Sequence, residues 1–248
     1  MMKLYGLLGY PLSHSFSKEY FTNKFIKSGD LDSTYQNFEK SSLFDIKEYL
    51  NTIPGLQGFN ITIPYKEEIL SFLNQCDPLV QIIHACNCIK VVDKEWLGYN
   101  TDVIGFEQSF KANLRPHHAK AIILGTGGAS KAVAYVCRKL GLKVIYVSTT
   151  KTGVDFLTYD DLNKDILSDH HVIINTTPLG SFPNNTEFPI IPYEHLTSEH
   201  YLFDLIYNPE KTQFLIKGER QGAQIKNGYE MLVGQAEESW RIWHTNYP

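Results

Sequence analysis

The sequence predicts an α/β protein of two domains, and three observations carry that prediction. Short apolar runs alternate with amphipathic stretches throughout the 248 residues, a rhythm that favours α/β architecture over all-α or all-β. The rhythm breaks once, at residues 113–120, where Pro116 and the adjacent His117 and His118 read as a connection. Beyond that break a strand, a glycine turn, a helix and a second strand follow in close order. This is the layout of one half of a doubly wound sheet.

Taken in order, residues 3–8, 58–63, 86–92 and 96–99 read as strands, and 15–27, 43–50, 65–72 and 103–111 as helices. Residues 121–124 form an apolar strand that ends in Gly125-Thr-Gly-Gly-Ala-Ser130. A helix runs from there to Leu140, and strands follow at 143–147, 171–175 and 201–205. The helical segment 229–243 is expected to return to the first domain. Residues 1–102, completed by 229–248, are thus expected to form an N-terminal α/β substrate-binding domain. Residues 103–228 are expected to form a Rossmann-type dinucleotide-binding domain.

Composition narrows the function classes. Lys+Arg 23 against Asp+Glu 27 gives a net charge of -4, against the clustered basic excess that a nucleic-acid surface needs. No apolar run approaches the roughly 18 residues of a membrane span. Residues 1–12 are interrupted by Gly6, Gly9 and Pro11 and lack a signal-peptide layout. Four cysteines make no disulfide framework, so a reducing cytoplasm is expected. The expected partner is a small-molecule substrate, without nucleic acid or membrane, on a monomer or homodimer.

Gly125, Gly127 and Gly128 stand between an apolar strand and a helix. Glycines there permit a tight turn and a close backbone approach to a pyrophosphate, whose charge the helix N-terminus favours. Ser130 takes the sixth fingerprint position and is small enough for close helix–strand packing. An NAD site wants an acid at the end of the second strand. This chain has Ser148-Thr-Thr-Lys151 instead, hydroxyls and a cation suited to a 2′-phosphate, so NADP is expected over NAD.

Polar residues gather at strand ends in the first half. Ser13 and Ser15 follow the first strand and can both address one carboxylate, although either also suits a helix N-cap. In Asn60-Ile-Thr-Ile-Pro-Tyr-Lys66, strand alternation places Asn60 and Thr62 on one face and Ile61 and Ile63 on the other. Pro64 stops the strand and Lys66 is expected to open a helix. Asn87 and Asn100-Thr-Asp102 end the next two strands. Such convergence beside apolar residues has the composition of a small-ligand pocket.

A metal centre is not expected. Cys86 and Cys88 lack zinc-site spacing, and the pairs His117/His118 and His170/His171 read as loop residues pointing apart. No nucleophile elbow is present for a Ser-His-Asp hydrolase, and buried strand cysteines are usually inert.

Together these residues resemble the shikimate dehydrogenase (shikimate/quinate dehydrogenase) family across essentially the whole chain. The marks are Pro11-Leu-Ser-His-Ser15, Asn60-Ile-Thr-Ile-Pro-Tyr-Lys66, Ala85-Cys-Asn87, Gly98-Tyr-Asn-Thr-Asp102 and Gly125-Thr-Gly-Gly-Ala129. They continue with Asn175-Thr-Thr-Pro-Leu-Gly180, Asp204-Leu-Ile-Tyr-Asn-Pro209 and Gly228-Tyr-Glu-Met-Leu-Val-Gly-Gln235.

The resemblance implies NADP-dependent reduction of 3-dehydroshikimate to shikimate, without a metal. Lys66 and Asp102 match the family's catalytic pair. Ser13 and Ser15 match the carboxylate site. Asn60, Thr62, Asn87, Thr101, Tyr207 and Gln235 are the remaining substrate-binding candidates. Gly125, Thr126, Gly127, Gly128 and Ala129 match the pyrophosphate turn. Ser148, Thr149, Lys151 and Thr176 are further cofactor candidates, Leu205 and Gly228 match nicotinamide-lining positions, and Asp77 falls where the family places an acid near the cofactor.

Two departures stand out. Ser148-Thr149-Thr150 replaces the family's Asn-Arg-Thr, and Cys88 stands where a threonine is usual. The competing expectations are a quinate-preferring or methylenetetrahydrofolate dehydrogenase on the same plan, and a ligand sensor without turnover. Retention of both Lys66 and Asp102 speaks against the sensor.

Overall fold

The structure, a computed structural model, describes residues 2–12, 16–150 and 152–245. The chain divides into two units, residues 1–101 with 236–248 and residues 102–235.

The first unit contains β1 (Lys3–Gly9), α1 (Phe16–Ser28), β2 (Ser33–Glu39), α2 (Ile46–Asn51) and β3 (Leu56–Ile61). A 3-10 turn (Glu68–Phe72), β4 (Gln75–Cys76), α3 (Pro78–Ile83), β5 (Cys88–Val92) and β6 (Glu95–Tyr99) follow. Its mixed sheet has the order β2-β1-β3-β5-β6-β4. β1 runs parallel to β2 and β3, whereas β5 is antiparallel to β3 and β6.

β1 is apolar at successive positions because both of its faces are covered. Leu4 and Leu8 join Phe38, Ile46, Phe59 and Trp96, while Tyr5 and Leu7 join Phe21, Phe25, Tyr35 and Trp243. The last helix closes this second face: Trp243 stacks on Tyr5 at 4.8 Å and its indole N–H donates to the Ile89 carbonyl at 2.9 Å. Gly58 makes room for that indole, since a Cβ there would lie 2.3 Å from Trp243 Nε1.

One strand here was not expected, and one expectation changes. The polar run Ser33–Glu39 is a strand, β2, at the sheet edge. The helix expected over residues 65–72 is a turn followed by the short 3-10 segment. The Lys66 carbonyl accepts the Cys86 N–H at 2.7 Å, and the Tyr65 hydroxyl is drawn to the Lys40 carbonyl at 2.6 Å. The Tyr65 carbonyl still accepts the Ile69 N–H at 3.0 Å, but the next carbonyl, that of Lys66, is taken by Cys86, so the α-helical pattern does not continue from it.

The second unit begins with α4 (Asp102–Lys111), β7 (Lys120–Leu124), α5 (Gly128–Lys139), β8 (Lys143–Val147), β9 (Phe156–Leu157) and α6 (Lys164–Asp169). It continues with β10 (Val172–Asn175), β11 (Tyr201–Asp204), α7 (Gln213–Arg220) and β12 (Gln224–Lys226). Residues 229–235 of α8 (Tyr229–His244) complete it, and α8 from Ala236 onward lies in the first unit. All strands of the sheet β12-β11-β10-β7-β8-β9 are parallel. β7, β10 and β11 are almost wholly buried, which is why they read as continuous apolar runs. The strand order reverses between β7 and β10, and that reversal is the topological switch point of a doubly wound sheet.

His117 and His118 do not point apart, and His171 joins them. His117 lies 4.4 Å from His118 and 5.4 Å from His171 by ring centroids, and His171 lies 5.2 Å from His200. These rings line the end of the sheet opposite the strand C-termini because the loops before β7, β10 and β11 meet there. His118 Nδ1 accepts the Arg115 N–H at 3.0 Å and its Nε2 meets the Glu199 carbonyl at 3.1 Å. His200 Nδ1 accepts the Thr197 N–H at 3.0 Å and its Nε2 meets the Leu167 carbonyl at 3.0 Å. Their nitrogens are spent on the backbone, and among the described residues no group of three or more His, Cys, Asp or Glu could hold a metal ion.

Candidate active site

In the first unit the polar strand ends form one buried network. Asn60, on β3, accepts the Tyr35 hydroxyl at 2.9 Å through Oδ1. Its amide N–H groups donate to the Ser239 hydroxyl at 2.8 Å and the Asn87 carbonyl at 3.3 Å. Asn87 Oδ1 accepts the Thr101 N–H at 2.6 Å, Asn87 Nδ2 donates to Thr101 Oγ1 at 3.0 Å, and Thr101 Oγ1 lies 3.3 Å from Ser239 Oγ. Asn60, Asn87, Thr101 and Ser239 are all buried. Asn100 is held separately, with its amide donating to the Ala85 carbonyl at 2.9 Å. Asn60 therefore acts as a scaffold that orients the next two strand ends.

Thr62 lies just beyond β3 and its N–H donates to the Leu8 carbonyl at 2.9 Å. Of the two isoleucines on the opposite face, Ile61 is buried and Ile63 is exposed. Lys66 is half-buried in the following turn. Asp77 caps α3, accepting the Leu79 N–H at 2.8 Å. Cys86 and Cys88 are buried beside this network, and burial pushes the Cys86 thiol up to about 12 and the Cys88 thiol higher still. A thiolate nucleophile is thereby disfavoured. Ser13 and Ser15 lie outside the described residues.

In the second unit Asp102 is buried at the first position of α4. Gln235 is buried on α8, its amide donating to the Leu232 carbonyl at 2.9 Å, and Tyr207 is half-buried after β11. Lys66 and Asp102 thus belong to different units.

The glycine turn lies at the switch point. Gly125 has φ +99°, open to glycine at little cost, and a Cβ there would sit 2.9 Å from Thr177 Cγ2 and 3.0 Å from Thr176 Oγ1. Thr176 is fixed by its own N–H and hydroxyl, both donating to the Leu124 carbonyl, at 2.9 and 2.6 Å. Gly127 caps α5 without a side-chain hydrogen bond, and a Cβ on it would meet no atom within 4 Å. Internal packing therefore leaves open space beside the first turn of a 12-residue helix. That space and those N–H groups fit a pyrophosphate. Thr126, Gly128 and Ala129 are half-buried around it, and Ser130 is buried against the sheet, as its small size allows.

At the end of β8, Ser148 is buried and accepts the Thr150 N–H at 3.2 Å, while Thr149 and Thr150 are exposed. Lys151 lies outside the described residues. Leu205 and Gly228 meet directly: a Cβ on Gly228 would lie 2.0 Å from the Leu205 carbonyl oxygen.

The sequence reading missed Ser239, whose place in the buried network has no local signal in an amphipathic helix. It assigned no role to Asn175, Asp204 or Thr212, which are fully buried and linked: Asp204 accepts from Asn175 at 3.0 Å and from Thr212 at 2.6 Å. A buried polar triplet of this kind is visible only once the strands are paired.

Comparison with known proteins covers the whole chain. The family described as "Shikimate dehydrogenase substrate binding domain" matches residues 7–89. A curated protein from Caldicellulosiruptor bescii named Shikimate dehydrogenase (NADP(+)) is 36% identical over 98% of this chain and 89% of its own length. The crystal structure of Shikimate Dehydrogenase 1 from Peptoclostridium difficile superposes with TM-score 0.86 at 37% identity, covering 100% of this chain and 94% of that one. A Thermus thermophilus shikimate 5-dehydrogenase, solved in complex with NADP(H) and shikimate, superposes with TM-score 0.86 at 28% identity over 100% of this chain and 95% of that one. With a switch-point glycine turn in one unit, a buried polar network in the other and this likeness along its full length, the chain belongs to the shikimate dehydrogenase family.

Proposed function

We propose that the protein catalyses the reversible reduction of 3-dehydroshikimate to shikimate with NADPH, as a cytoplasmic enzyme acting as a monomer or homodimer. The observation that carries this reading is full-length likeness to relatives named Shikimate dehydrogenase (NADP(+)) at 36% identity. The open first turn of α5 at the switch point supports the dinucleotide half of it. The cofactor, when bound, supplies the hydride that the carbonyl carbon accepts.

The chain's own residues handle the proton and the orientation. The Lys66 ammonium donates a proton to the substrate oxygen as that oxygen gains charge, and takes it back in the reverse direction. Asp102, the second member of the family's catalytic pair, accepts from a ring hydroxyl. Asn87 and Thr101, fixed against each other by Asn60 and Ser239, present a rigid polar edge to the ring, with Thr62, Tyr207 and Gln235 as its further contacts. Ser13 and Ser15 hold the carboxylate, each through a hydrogen bond to a charged group.

Residues 125–129, with Thr176, line the pyrophosphate. Leu205 and Gly228 line the nicotinamide. Ser148, Thr149 and Lys151 meet the 2′-phosphate.

The test is spectrophotometric, following reduced cofactor with shikimate and NADP+, then with NAD+, then with quinate in place of shikimate. The reading expects the first combination to have the highest kcat/KM. A protein that turns over quinate best, or neither acid, refutes it.

A further inference from the structure

Asp204 is fully buried at the end of β11. No cation forms an ion pair with it among the described residues. Its Oδ1 accepts two N–H groups, from the Asn175 side chain and the Ile206 backbone, each at 3.0 Å. Its Oδ2 accepts the Thr212 hydroxyl at 2.6 Å. The Tyr193 hydroxyl senses its charge. Burial pushes the carboxyl up to about 7, against the pull of those three donors. An apolar residue would fill this place without that desolvation cost. What a carboxyl supplies is direction, since it fixes three donors from three segments around one point.

Two of those segments lead to the cofactor end of the sheet. Asn175 Oδ1, oriented by Asp204, accepts the Thr177 N–H at 3.0 Å and the Thr177 hydroxyl at 2.7 Å. Thr177 Oγ1 in turn accepts the Leu179 N–H at 3.3 Å. The loop so ordered carries the Thr176 and Thr177 side chains that rest against Gly125. The Ile206 N–H ties down the second loop, whose Leu205 carbonyl rests against Gly228. One buried carboxyl therefore holds both the loop that rests against Gly125 and the loop that rests against Gly228.

We propose that Asp204 is a positioning residue for the dinucleotide, presetting through Asn175 and the Ile206 amide the two loops that receive it. The inference rests on the cofactor reading above. Asp204 touches neither cofactor nor substrate; it acts through Thr176, Thr177 and Leu205.

Asp204→Asn and Asp204→Ala separate positioning from bulk. The asparagine keeps an oxygen for the two N–H groups and offers its own N–H to the Thr212 hydroxyl, which can accept. The alanine leaves three buried donors without an acceptor.

The first readout is amide hydrogen exchange in the ligand-free protein. It should rise at Thr177, Leu179 and Ile206 in Asp204→Ala and stay near wild type in Asp204→Asn. The second is calorimetric titration with NADP+ and, separately, with shikimate. The Kd for NADP+ should rise about tenfold or more in the alanine variant and stay near wild type in the asparagine variant, with shikimate binding unchanged in both.

If Asp204→Ala does not fold, Asn175→Ala cuts one arm alone. It should raise exchange at Thr177 and Leu179 but not at Ile206, and weaken NADP+ binding. Unchanged exchange at these amides, equal NADP+ affinity in the alanine variant, or parallel loss of NADP+ and shikimate binding overturns the proposal while the cofactor reading stands. A wild-type protein that binds no NADP+ overturns both.

Discussion

Gly228 and the Leu205 carbonyl are packed so closely that no side chain fits between them: a Cβ would lie 2.0 Å from that oxygen and 2.5 Å from its carbon. Both neighbours are backbone, so neither can swing aside. Gly228→Ala must therefore displace the loop after β11 or the start of α8. Overpacking of this kind typically costs about 1–3 kcal/mol. The variant should lose thermal stability and raise KM for NADP+ more than KM for shikimate. Equal changes in both KM values would show that residue 228 is not part of the cofactor surface.

Lys66→Ala should lower kcat by about 10²-fold or more, because a positioned proton donor contributes about 10²–10⁴-fold. Shikimate affinity should remain within a few-fold of wild type. Turnover like that of wild type would remove Lys66 from the acid/base role.

Ser239→Ala removes the hydroxyl that links Asn60 to Thr101. Leaving a buried donor unsatisfied costs about 1–3 kcal/mol, which urea unfolding would measure. The slackened Asn87 and Thr101 should also raise KM for shikimate while KM for NADP+ holds. A variant that loses stability with both constants intact would confine the network to a folding role.

Acid should destabilise the second unit through its histidines. Burial holds His118, His170 and His200 below the usual imidazole value. Above about pH 6.5 these groups are neutral in both folded and unfolded chains. Below it the unfolded chain takes up protons that the folded chain refuses, so stability falls as the pH falls. Asp204, raised by burial to about 7, takes up a proton in the folded chain over the same range and opposes the histidines, so Tm measured from pH 7.5 to 5 should decline in an Asp204→Asn background. The decline should flatten in His118→Asn/His200→Asn, whose amide oxygens can still accept the backbone N–H groups. An equal slope in that double variant would place the acid sensitivity elsewhere.

Cofactor choice should respond to Thr149, which is exposed at the end of β8. Thr149→Arg places a planar guanidinium where a 2′-phosphate is expected and should raise the NADP/NAD ratio of kcat/KM. Lys151→Ala should lower it, chiefly through NADP. Added salt should weaken NADP binding more than NAD binding, since the extra contact is between charges near the surface. A ratio that neither substitution moves would put the phosphate elsewhere.

The sequence by itself determined the α/β class, the strand–turn–helix unit around Gly125 and the residues that carry the family likeness. These are local facts: buried parallel strands are apolar at every position, and a pyrophosphate turn needs its glycines closely spaced between strand and helix. Only the tertiary structure decided what depends on the pairing of distant segments. Lys66 sits in a turn because Cys86, 20 positions away, takes its carbonyl hydrogen bond. Ser239 joins Asn60 across 179 positions, and Asn175 meets Asp204 across 29. The histidines, apart in sequence, gather because three loops end at one sheet edge. Side-chain spacing reports which way a residue faces along its own strand or helix. Which distant donor waits opposite is set by strand order and register, and that is fixed only when the two sheets close over their cores.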